Sequence, residues 1–199
     1  MYTLVGSPKT RAFRVLWMLE ELGVPYKMDP AGPRSETIAR LNPSGKVPAL
    51  LVGDDVIIDS VAIIQFLADR HAKLTFPAGT IERAKQDSFT QFACDDLDGA
   101  CWNHAKHSFI LPENLRVAEA KPAFAHDFAR AMTAFEQRLG DRTWVMGEEF
   151  TVPDLLIGHI AGWAKACSFE WPAGRVSAYF ERARSRDAFK RAMAIRESS

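Results

Sequence analysis

The chain has 199 residues, 47% of them apolar and 25% charged, and its 25 basic side chains are balanced by 25 acidic ones. This is ordinary globular composition, enough for one or two buried cores, and a formal net charge of zero supplies no long-range field to gather nucleic acid or an acidic membrane. No apolar run approaches the length of a membrane span, Lys9, Arg11 and Arg14 interrupt the only early apolar stretch, and three cysteines without paired spacing make neither a disulfide framework nor a zinc site, so a reducing cytoplasm is the expected location.

Tyr2 to Val5 reads as a short strand, and Thr10 as the cap of a helix whose Ala12, Leu16 and Leu19 share one side. Gly23-Val24-Pro25 ends that helix, and Tyr26 to Asp29 returns as a second strand, which at this spacing implies a parallel pair with a right-handed crossover. A short helix follows Ser35 and runs to about Leu41. Ala49 to Val52 and Val56 to Ile58 flank Gly53-Asp54-Asp55, a hairpin signal, and the helix from Ser60 to His71 carries Ala62, Ile63, Phe66 and Leu67 as its expected buried stripe. The order is βαβαββα, a thioredoxin-like α/β domain over residues 1–75, with residues 76–80 as linker.

From Ile81 onward no strand pattern emerges, and residues 81–199 are expected to form an all-α domain. Phe124, Phe128, Met132, Phe135 and Leu139 step at helical spacing toward Gly140. Thr151 and Asp154 form a capping box, with Pro153 in the first turn and Phe150 placed to staple onto Leu155. Cys94 and Cys101 lie seven apart and read as buried small apolar side chains; Asp95, Asp96 and Asp98 read as a solvated face. His104 and His107 share a helical face without a third ligand at clear spacing, so no metal is expected.

The chemistry concentrates in Ser44-Gly45-Lys46-Val47-Pro48-Ala49-Leu50-Leu51 and in Asp59-Ser60. A proline-stiffened segment beside a strand and an acid-hydroxyl pair at a helix N-terminus suit a small peptide-like anion. The helix end supplies backbone N–H groups and partial positive charge to a carboxylate at Ser60, and Asp59 can hold an ammonium. A plain helix cap at Asp59-Ser60 and a solvated loop lysine at Lys46 are the structural alternatives.

Together with Gly6-Ser7-Pro8-Lys9-Thr10-Arg11, these segments resemble the cytosolic glutathione transferase family in order and spacing, in a bacterial-type form with Ser or Thr rather than Tyr at the activating position. The resemblance implies a glutathione site made by Lys46, by Val47 and Pro48 through a cis peptide bond, and by Asp59 and Ser60, with no metal. It implies a homodimer, and thiolate attack on an apolar electrophile held by Phe13, Trp102 and Phe109. Isomerase, dehalogenase and peroxidase chemistry use the same kind of site. Thiol activation falls to Thr10, Ser7 or Lys9: Thr10 carries a hydroxyl at the helix start, Ser7 a second one nearby, and Lys9 a charge. The alternative from another class is a non-catalytic glutathione-binding or protein-interaction module.

Overall fold

The computed structural model describes residues 1–199. Residues 1–78 together with 184–199 form one compact unit, and residues 79–183 form another. In the first unit, β1 (Tyr2–Val5), α1 (Ala12–Leu22), β2 (Tyr26–Asp29), α2 (Glu36–Leu41), β3 (Ala49–Val52), β4 (Asp55–Ile58) and α3 (Ser60–His71) follow in the βαβαββα order. The sheet runs β2-β1-β3-β4. Tyr2 pairs with Tyr26 in the parallel ladder, and Val5 with Ala49 in the antiparallel one. Gly23 ends α1 at φ 66°, donating its N–H to the Leu19 carbonyl at 3.0 Å, which glycine does without steric cost.

Helix α1 is buried on every side from Ala12 to Leu19 rather than along the single face that Ala12, Leu16 and Leu19 mark in the sequence. Helix α9 (Asp187–Glu197) is the reason, because it belongs to the first unit and covers α1, whereas chain order alone groups it with the helical half. Phe189 meets Phe13 and Trp17 edge-on, with ring centroids 5.6 and 4.8 Å apart. Helix α3 is also turned from its expected orientation: Ile63, Ile64, Leu67 and Ala68 are buried, Ala62 is exposed and Phe66 is half-buried.

Charge pairs fasten α9 to α1. Arg186 grips Glu21 with both arms at 2.6 and 2.7 Å, while the Trp17 indole N–H donates to the same carboxylate at 3.0 Å. Arg191 pairs with Glu20 at 2.6 Å, and the Tyr26 hydroxyl donates to Glu20 at 2.6 Å. Glu21 is nearly covered and Arg186 is only partly so, which discounts the pair's value. Glu21→Gln is expected to cost about 1–2 kcal/mol by weakening a bidentate, charge-assisted contact, read as a lower thermal midpoint by circular dichroism. An unchanged midpoint would mean that aromatic packing alone holds α9.

The second unit is helical. Helix α4 (Ile81–Phe92) continues through a π-helical turn at Ala93–Asp98 into α5 (Gly99–Ala105) and a second π-helical turn at Lys106–Ile110. Two short 3₁₀ turns then lead to α6 (Lys121–Leu139), α7 (Val152–Ala166) and α8 (Arg175–Arg184). Helix α7 is buried from Val152 to Ala161 and so forms the centre of this unit. At its start, Asp154 accepts hydrogen bonds from the Thr151 N–H and hydroxyl, both at 2.8 Å, from the Val145 N–H at 2.9 Å and from the Tyr179 hydroxyl at 2.8 Å. The capping box read from the sequence is present, and it also ties α8 and the 145 loop to α7.

Candidate functional site

Three segments converge at the C-terminal end of β1, and Gly6 sets how closely. A Cβ on Gly6 would stand 2.9 Å from Ala12 Cβ and 3.2 Å from Val47 Cβ, and the residue sits at φ 145°, so glycine alone permits this approach. The loop after β1, the start of α1 and the Val47–Pro48 segment therefore meet, with the Val47–Pro48 peptide bond cis as the resemblance implies.

The loop from Ser7 to Arg11 is a set of tight turns rather than a capped helix end. The Phe13 and Arg14 N–H groups bond the carbonyls of Thr10 and Arg11, three residues back, so α1 begins at Ala12 and not directly after Thr10. The Thr10 hydroxyl donates to the Ser7 carbonyl at 2.7 Å and accepts from the Ala12 N–H at 3.2 Å, which commits its hydrogen within the loop. The half-buried Ser7 hydroxyl accepts from the Lys9 N–H at 3.3 Å and donates to no protein group. Exposed Lys9 reaches the Ser199 carbonyl through its ammonium.

Asn42 shapes the loop that carries Lys46. Buried to 3% exposure, it donates through Nδ2 to the Lys46 carbonyl at 2.9 Å and accepts at Oδ1 from the Ser44 N–H and hydroxyl at 3.0 and 2.8 Å. Lys46 itself is exposed, with its chain direction fixed by that bond.

Between β4 and α3 the backbone turns through Asp59 at φ 66° and ψ 116°, a conformation few L residues adopt. Asp59 makes no side-chain cap, so the first N–H groups of α3 are not taken up by it, and its exposed carboxylate can serve a cation. Ser60 is 6% exposed and accepts from Arg14 Nη1 at 3.3 Å. Arg14, at 2% exposure, thus adds a buried cation beneath the positive end of α3, where both favour a bound carboxylate.

Arg14 and Asn42 stand out as site-building residues only in the structure. A signal for the first lies in the sequence, since a lone arginine inside the apolar run Ala12 to Leu19 is out of place on a core helix unless it serves a nearby group.

The aromatic candidates separate. Phe13 is 2% exposed and its ring is spent on packing against Trp17 and Phe189. Trp102 is half-buried, edge-on to Trp163 with centroids 6.5 Å apart, while Phe109, in the second π turn, is 63% exposed. His104 lies against Phe169, its pKa lowered first by burial and then by Lys121; His107 stacks on Phe124 and accepts the Val117 N–H. Asp95 and Asp96 are exposed as expected. Asp98 is not: at 9% exposure, it is turned inward in the π-helical turn. No group of three or more His, Cys, Asp or Glu side chains is placed to hold a metal ion, and no helix is long and apolar enough to cross a membrane.

Comparison with known proteins bears on this geometry directly. Residues 10–70 match the glutathione S-transferase N-terminal domain, the stretch from Thr10 through the Ser44–Lys46 loop to α3. Glutathione S-transferase GstA of Escherichia coli O157:H7 is 28% identical over 63% of this chain and 61% of its own length. A glutathione S-transferase of Silene vulgaris is 26% identical over 98% of this chain and 97% of its own. These matches support the glutathione S-transferase family. The theta class glutathione S-transferase of Xanthomonas axonopodis pv. citri, solved with glutathione bound, has the same fold: its TM-score is 0.82 at 24% identity, covering 96% of each chain.

Proposed function

We propose that this protein is a glutathione transferase that binds glutathione on its thioredoxin-like unit and directs the thiolate to an apolar electrophile. The observation that carries the reading is the Arg14–Ser60 contact at the start of α3, beside the exposed Asp59: a buried cation, a hydroxyl and a helix N-terminus for a carboxylate, and an acid for an ammonium. The γ-glutamyl end of glutathione presents that pair of charges. Lys46 takes the glycyl carboxylate, and the backbone of Val47 pairs with the cysteinyl part as a neighbouring strand would.

The sulfur then comes to the loop after β1. A free thiol of pKa about 8.5 is only a few per cent ionised at neutral pH, so a donor that prefers the anion speeds reaction. Ser7 is the better placed of the two hydroxyls, because Thr10 has given its hydrogen to the Ser7 carbonyl. Once ionised, the sulfur attacks the electrophilic carbon; a carbon–sulfur bond forms and the leaving group departs, or the electron pair moves onto a conjugated acceptor. For the second substrate, exposed Phe109 and half-buried Trp102 are the apolar candidates of the helical unit. A cytoplasmic homodimer, as the family resemblance implies, belongs to this reading.

Ser60→Ala is expected to weaken glutathione binding about tenfold, the lower end of the value of a hydrogen bond to a charged group, since the helix N–H groups remain. Isothermal calorimetry on the folded variant checks it, and unchanged affinity would place the ligand elsewhere. Turnover of a chloronitroaromatic with glutathione is expected from the wild type. Tight binding without turnover on any electrophile tested would instead favour the binding module.

A further inference from the structure

We propose that Cys101 and Cys167 are a redox pair that closes to a disulfide within the helical unit when peroxide is the oxidant. The proposal goes beyond the glutathione site and does not depend on it. All three cysteines are reduced thiols in this structure. The Cys167 thiol donates to the carbonyl oxygen of Cys101 at 3.6 Å across 66 residues of sequence, which brings the end of α7 onto α5. The Cys167 pKa is lowered, first by its hydrogen bonding with Cys101 and against the opposing effect of burial.

The two positions differ in ways that assign them roles. Cys101 is fully buried at 0% exposure, and Cys167 sits at 8% as the C-cap just after α7, with Ser168 beyond it at φ 58°. Cys167, the less deeply buried residue of the two and the one whose thiol reaches across to the other, reacts first; Cys101 resolves. In the first step the Cys167 thiolate attacks one peroxide oxygen. A sulfur–oxygen bond forms, the oxygen–oxygen bond breaks, and the hydroxide released takes up a proton as water, leaving the sulfenic acid. In the second, the Cys101 sulfur attacks the Cys167 sulfur, the sulfur–oxygen bond breaks, and the departing hydroxide leaves as water with the Cys101 proton. Two thiols lose two electrons in all, and one peroxide becomes two waters. Neighbouring Trp102 and Trp163, edge-on at 6.5 Å, lie on the same two helices and report the change.

The experiment treats the reduced full-length protein with hydrogen peroxide and follows it by thiol titration, intact mass and peptide mapping under non-reducing conditions. Expected is the loss of two of the three titratable thiols and of two hydrogens, a single intramolecular link between the Cys101 and Cys167 peptides, a change in tryptophan emission, and reversal by dithiothreitol. Cys94→Ser should leave the link intact. Cys167→Ser should abolish it, and Cys101→Ala should leave a sulfenic acid at Cys167 that dimedone captures. Should Cys101→Ala fail to fold, the wild-type map and Cys167→Ser still decide. Three unreacted thiols, a link through Cys94, a link between chains, or overoxidation of Cys167 without a disulfide would each overturn the pairing.

Discussion

Asp154→Ala is expected to lower unfolding free energy by about 3–5 kcal/mol, well beyond the roughly 0.5–2 kcal/mol of an ordinary helix cap. The excess follows from what the carboxylate holds. It accepts from two backbone N–H groups and two hydroxyls, and the donors come from the 145 loop, the start of α7 and α8. Removing it strands buried donors that cost about 1–3 kcal/mol each when unpaired, less whatever the Thr151 hydroxyl recovers by rotating. Asp154→Asn separates pairing from size, because an amide turned either way sets an N–H against a donor. Its loss should approach that of alanine. Chemical denaturation checks both, and glutathione affinity of the surviving folded protein should be nearly unchanged, since the site residues lie in the other unit.

The same residue has a pH signature. Burial raises the Asp154 pKa, and its hydrogen bonds pull it down without overcoming that effect. A carboxyl that binds its proton more readily folded than unfolded contributes stability that is complete below the unfolded pKa, about 3.9, and is lost as pH rises through the folded one. The stability difference between wild type and Asp154→Ala should therefore be largest in acid and shrink with rising pH. A difference that grows with pH would mean that the four donors outweigh burial.

The βαβαββα order and the Thr151–Asp154 box were legible because each rests on local signals: period-two runs, glycine-marked turns, and an N-cap three residues before its acid. The Lys46 to Pro48 and Asp59-Ser60 segments stand out in the sequence for a related reason, since the loop and helix start on which the proposed glutathione site rests are short local motifs. What stayed hidden depends on packing between distant parts of the chain. The all-round burial of α1 needs Phe189 and Arg186, more than 160 residues away, and α3 is rotated from its expected stripe, burying Ile64 and Ala68 in place of Ala62 and Phe66. Arg14 acquires its role only when Ser60 is brought beside it, and Phe13 loses its expected role to the helix that covers it.

Ser7→Ala is expected to reduce turnover about a hundredfold while changing glutathione affinity little, and Thr10→Val to do much less. A side-chain sequence reading favours Thr10, the hydroxyl nearest the helix, but hydrogen-bond accounting reverses the order. Thr10 donates to the Ser7 carbonyl at 2.7 Å, so serving a sulfur would break a bond already made, while Ser7 accepts from Lys9 and keeps its hydrogen. A hydrogen bond to a charged acceptor is worth about 1.5–3 kcal/mol, and its upper part corresponds to about a hundredfold when the interaction favours the anion that reacts over the thiol that binds. Thr10→Val instead loses its contact with the Ala12 N–H, a cap-like bond worth about 1 kcal/mol, and should show mainly in the melting temperature. Ultraviolet titration of bound glutathione reads the cause directly: the thiol pKa should rise in Ser7→Ala and stay near the wild-type value in Thr10→Val. The reverse pattern would return activation to Thr10, and no shift in either would leave it to Lys9 and the backbone N–H groups of the loop.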